Sequence, residues 1–278
     1  MTIRAELKRS ATTLRATSKT AQLDGEVLLA HALNKDRSWL HAHSEDELSK
    51  EEIAIYSEYV NKRLLGDPVA YIVGFQEFYG RKFTVDSNVL VPRPESESFV
   101  ELLKELARMP APQGIHHILD MGTGSGCLAI TAKLEVSRLY VTATDTSKDA
   151  LSVAARNALA FACPITFKEQ SLLTSDKEGY DLILANLPYV PENMQDPSIT
   201  REPDEALYSG IDGLDHYTKL FEQLADKHIR YVMTESLVMQ HKELKKLAEK
   251  ARYRLEKTDG LVQLFVKTTD IHELLDKR

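Results

Sequence analysis

Ile118-Leu119-Asp120-Met121-Gly122-Thr123-Gly124-Ser125-Gly126, running on into Cys127-Leu128-Ala129-Ile130, decides how this chain folds. The leading apolar residues suit a buried strand and the trailing ones a helix, so the glycines mark a strand-to-helix turn. Glycine at such a junction lets the backbone turn tightly and come close to a ligand. Roughly 20 residues on, Asp145 ends the next apolar stretch, where a carboxylate can accept from ribose hydroxyls. The spacing is G-x-G-x-G, and Asp120 stands directly before the turn. A carboxylate there repels a pyrophosphate and suits a ligand with a cationic amino-acid end. That favours S-adenosylmethionine over a nicotinamide dinucleotide.

Outward from this loop the chain alternates strand and helix. The candidate strands are His117–Met121, Leu139–Thr144, Ile165–Phe167, Tyr180–Ala185, Ile229–Thr234 and a late pair near Tyr253–Glu256 and Gln263–Lys267. Ser147–Ala160 and Leu214–Asp226 are examples of the helices between them. Such alternation predicts an α/β fold, a parallel sheet with helices on both faces and ligands beyond the carboxyl ends of the strands. Before Leu65 the pattern is helical. Leu23, Val27, Ala30 and His31 share one helical face, as do Ile53, Tyr56, Val60 and Leu64. Ser44 with Glu47, and Ser49 with Glu52, have the spacing of capping boxes. Gly66-Asp67-Pro68 ends this region, and the β-branched and aromatic residues of Tyr71–Val91 predict a hairpin. Pro92-Arg93-Pro94 cannot be helix interior. A helix carrying Phe99, Leu102, Leu103 and Leu106 inward is expected next. The predicted organisation is a small helical domain over 1–72, a hairpin linker over 73–95 and a catalytic domain over 96–278.

Asn186-Leu187-Pro188-Tyr189 follows the apolar stretch Tyr180–Ala185, at the same sheet edge as the glycine loop. Its residue types suit transfer of a methyl group to an amide or aromatic-amine nitrogen. Such a nitrogen is a poor nucleophile because its lone pair is delocalised, and hydrogen-bonding both of its protons aims it at the donor. Asn186 can accept through its side-chain carbonyl and Leu187 through its backbone carbonyl. Pro188 stiffens the loop. Tyr189 offers a ring face to a planar amino group and a nearby sulfonium. Work of this kind is orientation and fixed dipoles, with no strong base needed beforehand.

Composition narrows the alternatives. The 278 residues carry a net charge of −7 and no long Lys/Arg tract, which argues against direct nucleic-acid binding. Cys127 and Cys163 are the only cysteines and form no C-x-x-C pair, and His41-x-His43 lacks further ligands at metal spacing, so no metal is expected. No apolar run approaches the roughly 20 residues of a membrane span, and a cytoplasmic, non-membrane protein is expected.

With these elements in place the chain resembles the release-factor glutamine N5-methyltransferases, which are class I S-adenosylmethionine-dependent enzymes, over nearly its whole length. The residues that carry the likeness are Leu23–His31, Gly66-Asp67-Pro68-Val69-Ala70-Tyr71-Ile72 and Glu77-Phe78-Tyr79-Gly80. More specific are Val91-Pro92-Arg93-Pro94-Glu95-Ser96-Glu97, similar to the family's P-R-P-E-T-E, and the run Glu202-Pro203, Ala206-Leu207, Gly210, Asp212-Gly213-Leu214, Tyr217. The resemblance implies a Rossmann-like sheet and a helical N-terminal domain that helps hold a class I peptide-chain release factor. It implies methylation of the glutamine amide in that factor's Gly-Gly-Gln loop. By motif match Asp120, Gly122, Thr123, Gly124, Ser125, Gly126, Asp145, Leu172 and Asn186 would bind the cofactor, and Asn186, Leu187, Pro188 and Tyr189 would present the amide. The chain departs from the family pattern at Leu187, where proline is usual, at Ser171, at Glu235-Ser236-Leu237 and at Gln263. Asn-Leu-Pro-Tyr also looks like the loop of ribosomal RNA adenine dimethyltransferases. An adenine N6-methyltransferase on RNA or DNA is therefore the alternative, followed by a non-catalytic cofactor-binding module.

Overall fold

The computed structural model describes residues 1–110, 113–173, 179–194, 199 and 201–268. The chain divides into two compact units, the first built on Met1–Phe75 and the second beginning at Gln76.

The first unit is helical: α1 Ile3–Leu14, α2 Ala21–Ala32, α3 Arg37–Ala42, α4 Lys50–Leu64 and α5 Val69–Val73. Ile3, Leu14, Leu28, Leu29, Leu40, Tyr56 and Val60 form its core. The buried face of α2 is not the expected one. Leu23 is 42% exposed, whereas Gly25, Leu28 and Leu29 point inward. The rotation follows from polar anchors on the same face. Asp24 accepts from Arg63 Nε at 2.7 Å, Glu26 accepts from Arg37, and the Gly25 carbonyl accepts from the Tyr56 hydroxyl. Ser49 and Glu52 make a reciprocal capping box at the start of α4. Ser44 and Glu47 do not, because Glu47 pairs as an isolated bridge with Thr2 instead.

After α5, Gly74 turns the chain at φ +81 into β1 (Phe75–Phe78), which pairs with β2 (Arg81–Thr84). Tyr79 and Gly80 both have positive φ, as a two-residue hairpin turn requires. The Glu97 carboxylate accepts the Tyr79 N–H at 2.8 Å and so holds that strained residue. Pro94–Ser96 form a short 3-10 turn leading into α6 (Glu97–Ala107), which buries Phe99, Leu102, Leu103 and Leu106. Each of these contributes about 1.5–3 kcal/mol of hydrophobic stabilisation.

The second unit is built on a sheet of β3 His117–Met121, β4 Tyr140–Asp145, β5 Thr166–Glu169, β6 Leu182–Ala185, β7 Tyr231–Glu235, β8 Tyr253–Asp259 and β9 Val262–Lys267. The helices are α7 Cys127–Glu135, α8 Lys148–Ala160, α9 Asp215–Leu224 and α10 His241–Lys250. The strand order is β5-β4-β3-β6-β7-β9-β8, parallel through β7, with β9 antiparallel to both its neighbours. This is the Rossmann-like α/β fold read from the sequence. Every residue of β6 and β7 is buried, as interior strands covered on both faces require. The edge strand β8 exposes Arg254, Glu256 and Lys257, charges that discourage pairing with another chain. Strand order reverses between β3 and β6, so a crevice opens between their carboxyl ends.

Candidate active site

Register places the two motifs side by side. β3 and β6 pair with Asp120 opposite Leu184 and Met121 opposite Ala185, so Gly122 and Asn186 leave the sheet as neighbours. A Cβ on Gly122 would lie 3.3 Å from Leu187 Cδ2 and 3.8 Å from the Asn186 carbonyl oxygen. Gly122 also has φ +71, so glycine is required there both for conformation and for this close approach.

The crevice is an open cleft with a cavity of about 140 Å³. Gly122, Gly124, Asp145, Leu172, Asn186, Leu187 and Pro188 line it. Asp120, Thr123, Ser125, Gly126 and Tyr189 do not, and each has a different place. The Asp120 carboxylate is 1% exposed; its Oδ2 accepts from Thr123 Oγ1 at 2.6 Å and from the Ala129 N–H at 3.2 Å. Burial pushes its pKa up to about 6, against the pull of those hydrogen bonds. Asp120 therefore ties the loop to α7 from behind rather than facing the cleft. Thr123 is its buried donor, and Ser125 offers its carbonyl to the buried Asn157 amide at 2.8 Å. Asn157 Nδ2 also donates to the Thr84 carbonyl and its Oδ1 accepts the Thr84 N–H, stapling β2 to the glycine loop.

Asp145 sits at the rim. Its Oδ2 accepts the Gly124 N–H and its Oδ1 the Ser147 N–H, both at 2.9 Å. A carboxylate oxygen has a second lone pair, so both retain capacity for hydroxyl donors. Gly124, at φ +53, has no atom within 4 Å of a would-be Cβ. The two loop glycines thus leave a cradle that side chains would fill, next to a hydroxyl-accepting carboxylate. The ribose of a nucleoside fits these residues.

Opposite the loop, Asn186 Nδ2 donates to Ser96 Oγ at 3.0 Å, and among the described residues Asn186 Oδ1 accepts no hydrogen bond. Ser96 Oγ donates to Glu235 Oε2 at 2.6 Å, and the Tyr189 hydroxyl donates to Glu235 Oε1 at 2.8 Å. Burial raises the pKa of Glu235, and burial together with the adjacent Glu235 charge raises that of Tyr189. Gln240 Nε2 holds the Tyr189 carbonyl at 2.8 Å and the Asp212 carbonyl at 2.7 Å. The Tyr217 hydroxyl lies 3.0 Å from the Ala185 carbonyl oxygen.

Sequence reasoning missed Ser96, Glu235, Asn157, Gln240 and His216, the last of which lines the cleft. Ser96 had a signal, its place inside the proline-rich P-R-P-E-x-E segment; Glu97 of that segment serves the hairpin turn instead. The run after residue 202 also acquires a physical role. Pro203, Glu205 and Ala206 line the cleft, and Val190 exchanges backbone hydrogen bonds with Leu207 and Ser209. The Cys127 thiol, although at a helix start, is pushed up to about 12 by burial, which excludes an activated thiolate. Among the described residues no His, Cys, Asp or Glu cluster could hold a metal, and no helix is long and apolar enough to cross a membrane.

The chain is 39% identical to a release factor glutamine methyltransferase of Koribacter versatilis, over 75% of this chain and 76% of that one. It is 34% identical to another from Bacillus cereus, over 82% and 83%. The chain belongs to the release factor glutamine methyltransferase family. Residues 6–74 match the family model described as PrmC N-terminal domain, and residues 99–205 match the methyltransferase small domain. Among solved structures, a methyltransferase from Pyrococcus furiosus aligns with TM-score 0.52 and 19% identity over 77% of this chain and all of that one. The human Mettl16 catalytic domain, solved with an RNA hairpin, aligns with TM-score 0.53 and 14% identity over 77% of this chain and 83% of that one. At those identities the likeness is one of fold, that of a methyltransferase domain.

Proposed function

We propose that this protein transfers a methyl group from S-adenosylmethionine to the side-chain amide nitrogen, N5, of the glutamine in the Gly-Gly-Gln loop of a class I peptide-chain release factor. The observation that supports this reading is the register of β3 with β6, which brings Gly122 and Asn186 out of the sheet as neighbours, with Gly122, Gly124, Asn186 and Leu187 lining one cleft. Membership of the family supplies the substrate.

Gly122, Gly124, Asp145 and Leu172 would hold the cofactor, with Asp145 accepting from ribose hydroxyls and Asp120, Thr123, Ser125 and Gly126 fixing the loop behind them. When bound, the cofactor supplies an electrophilic methyl group on a positively charged sulfur. Asn186 Oδ1 and the Leu187 carbonyl accept hydrogen bonds from the two amide N–H groups and aim the nitrogen lone pair into the cleft. Pro188 restricts the segment that carries both acceptors. The Tyr189 hydroxyl is committed to Glu235 and Tyr189 does not line the cleft, so Tyr189 acts as a brace for this segment. Preorganised acceptors of this kind need no reorganisation as charge moves onto nitrogen. The helical region 1–72 would recognise the release factor, with 73–95 as hairpin linker and 96–278 as catalytic domain; the family match over residues 6–74 favours that division.

The test is incubation with methyl-labelled S-adenosylmethionine and, in parallel, a class I release factor or ribosomal RNA. Label is expected in the release factor, on the peptide containing Gly-Gly-Gln. Label in RNA with none in protein would overturn the assignment.

A further inference from the structure

A methyl-accepting amide needs hydrogen-bond acceptors, yet an asparagine side chain presents an acceptor at one end and a donor at the other. Rotation of Asn186 by half a turn about its last bond would offer an NH2 to the substrate NH2, which is repulsive. Something must choose between the two orientations. Asn186 itself, on the loop after β6, has no internal means of doing so.

The choice is made behind the cleft. Glu235, at the carboxyl end of β7, is 1% exposed, and Ser96, before α6, is 3% exposed. Both Glu235 oxygens accept from hydroxyls, Oε2 from Ser96 and Oε1 from Tyr189, so the carboxylate is an acceptor on each arm. The single hydroxyl proton of Ser96 is therefore drawn to Glu235 Oε2, 2.6 Å away, leaving a Ser96 lone pair directed at Asn186. That lone pair can bind only the NH2 end of the amide, which it does at 3.0 Å. The Asn186 amide also faces the Glu235 carboxylate, whose charge favours the same orientation. The other oxygen, Oε1, accepts from the Tyr189 hydroxyl at 2.8 Å and fixes the far end of the same tetrapeptide.

Resting on the methyl-transfer reading above, we propose that Glu235 and Ser96 are positioning residues. Their one-way hydrogen-bond chain sets the polarity of the Asn186 amide, so that its oxygen and not its nitrogen faces the substrate. Neither needs to touch the substrate. The chain explains why a buried carboxylate lies beneath a loop whose own chemistry requires no acid or base. It also separates polarity from packing. A glutamine at 235 keeps the volume but puts an NH2 on one arm, so it cannot accept from both Ser96 and Tyr189. Threonine at 96 keeps the hydroxyl, and the related P-R-P-E-T-E motif carries it there.

The experiment compares wild type, Ser96→Ala, Ser96→Thr and Glu235→Gln in steady-state methylation of a release factor. S-adenosylhomocysteine binding and the melting temperature are measured on the same preparations. Ser96→Ala is expected to lower kcat about tenfold and Glu235→Gln about a hundredfold. S-adenosylhomocysteine affinity should stay within about threefold of wild type in both, and Ser96→Thr should recover most of kcat. A purely structural role would lower melting temperature, cofactor affinity and kcat together, and that result overturns the proposal. Wild-type kcat in Glu235→Gln, or no recovery in Ser96→Thr despite a wild-type melting temperature, overturns it too. Absence of methylation by the wild-type protein would instead sink the methyl-transfer reading, so the two failures are distinguishable.

Discussion

At the scale of single residues, Asp120 is costly to keep. Burial is the main cause of its raised pKa of about 6, and the charge of Asp145 adds to it. An unfolded aspartate titrates near 3.9, so between about pH 4 and pH 6 the folded protein binds a proton that the unfolded chain does not. Stability from this group is thus fully present below about pH 4 and is lost as pH rises through about 6, by about 3 kcal/mol. Asp120→Asn can still accept from Thr123 and Ala129. It should be more stable than wild type at neutral pH, with the gap closing towards about pH 4, as read from urea midpoints across a pH series. A pH-independent gap would contradict the assignment. Asp145 differs because it faces the cleft, so Asp145→Ala should weaken S-adenosylhomocysteine binding more than Asp120→Asn does in calorimetric titration. Asn186→Ala removes an acceptor rather than a cradle. It should lower turnover by about 10²–10³-fold while cofactor binding remains measurable.

At the scale of elements, the segment after β6 is braced from three sides, and glycine makes one of those contacts possible. A Cβ on Gly213 would fall 2.2 Å from the Tyr189 carbonyl oxygen and 2.4 Å from Gln240 Nε2, at φ +77. Gly213→Ala must displace backbone and is expected to cost about 2–4 kcal/mol and most of the activity, measured by chemical denaturation and methylation. Gly124→Ala offers the contrast. Its Cβ meets nothing, so the fold should lose only about 1 kcal/mol while cofactor affinity drops, because the added methyl enters the cleft. Much of this was legible in the sequence: glycines at a strand-to-helix junction, an acid ending the next strand, an asparagine ending another. Those residues act through their own backbone neighbourhood. Ser96, Asn157, Glu235 and Gln240 act through partners 139, 73, 90 and 51 positions away in various pairings, and a single sequence carries no record of such distances. The buried face of α2 was misread for a similar reason. Its orientation is set by Arg63, Arg37 and Tyr56, which lie outside the helix, and those anchors outweigh the apolar spacing of Leu23 and Val27.

At the scale of the whole molecule, the proposed chemistry and the proposed recognition fall to different parts of the chain. The cleft is lined by residues of the second unit, and residues 6–74 match a domain model of their own. A chain of residues 76–278 should therefore keep S-adenosylhomocysteine affinity within about threefold, while KM for the release factor rises at least about tenfold. Unchanged KM would remove the recognition role from the N-terminal helices. The net charge of −7 fits a protein substrate better than a phosphate backbone, whose contacts call for basic surface. The decisive comparison is transfer of labelled methyl to a release factor ending its loop in Gly-Gly-Gln against the same factor with Gly-Gly-Asn. The asparagine variant offers an identical amide one methylene short of Asn186 and Leu187. Strong labelling of the first and background labelling of the second is the expected result; equal labelling of both, or of neither, would contradict an amide aimed by two fixed carbonyls.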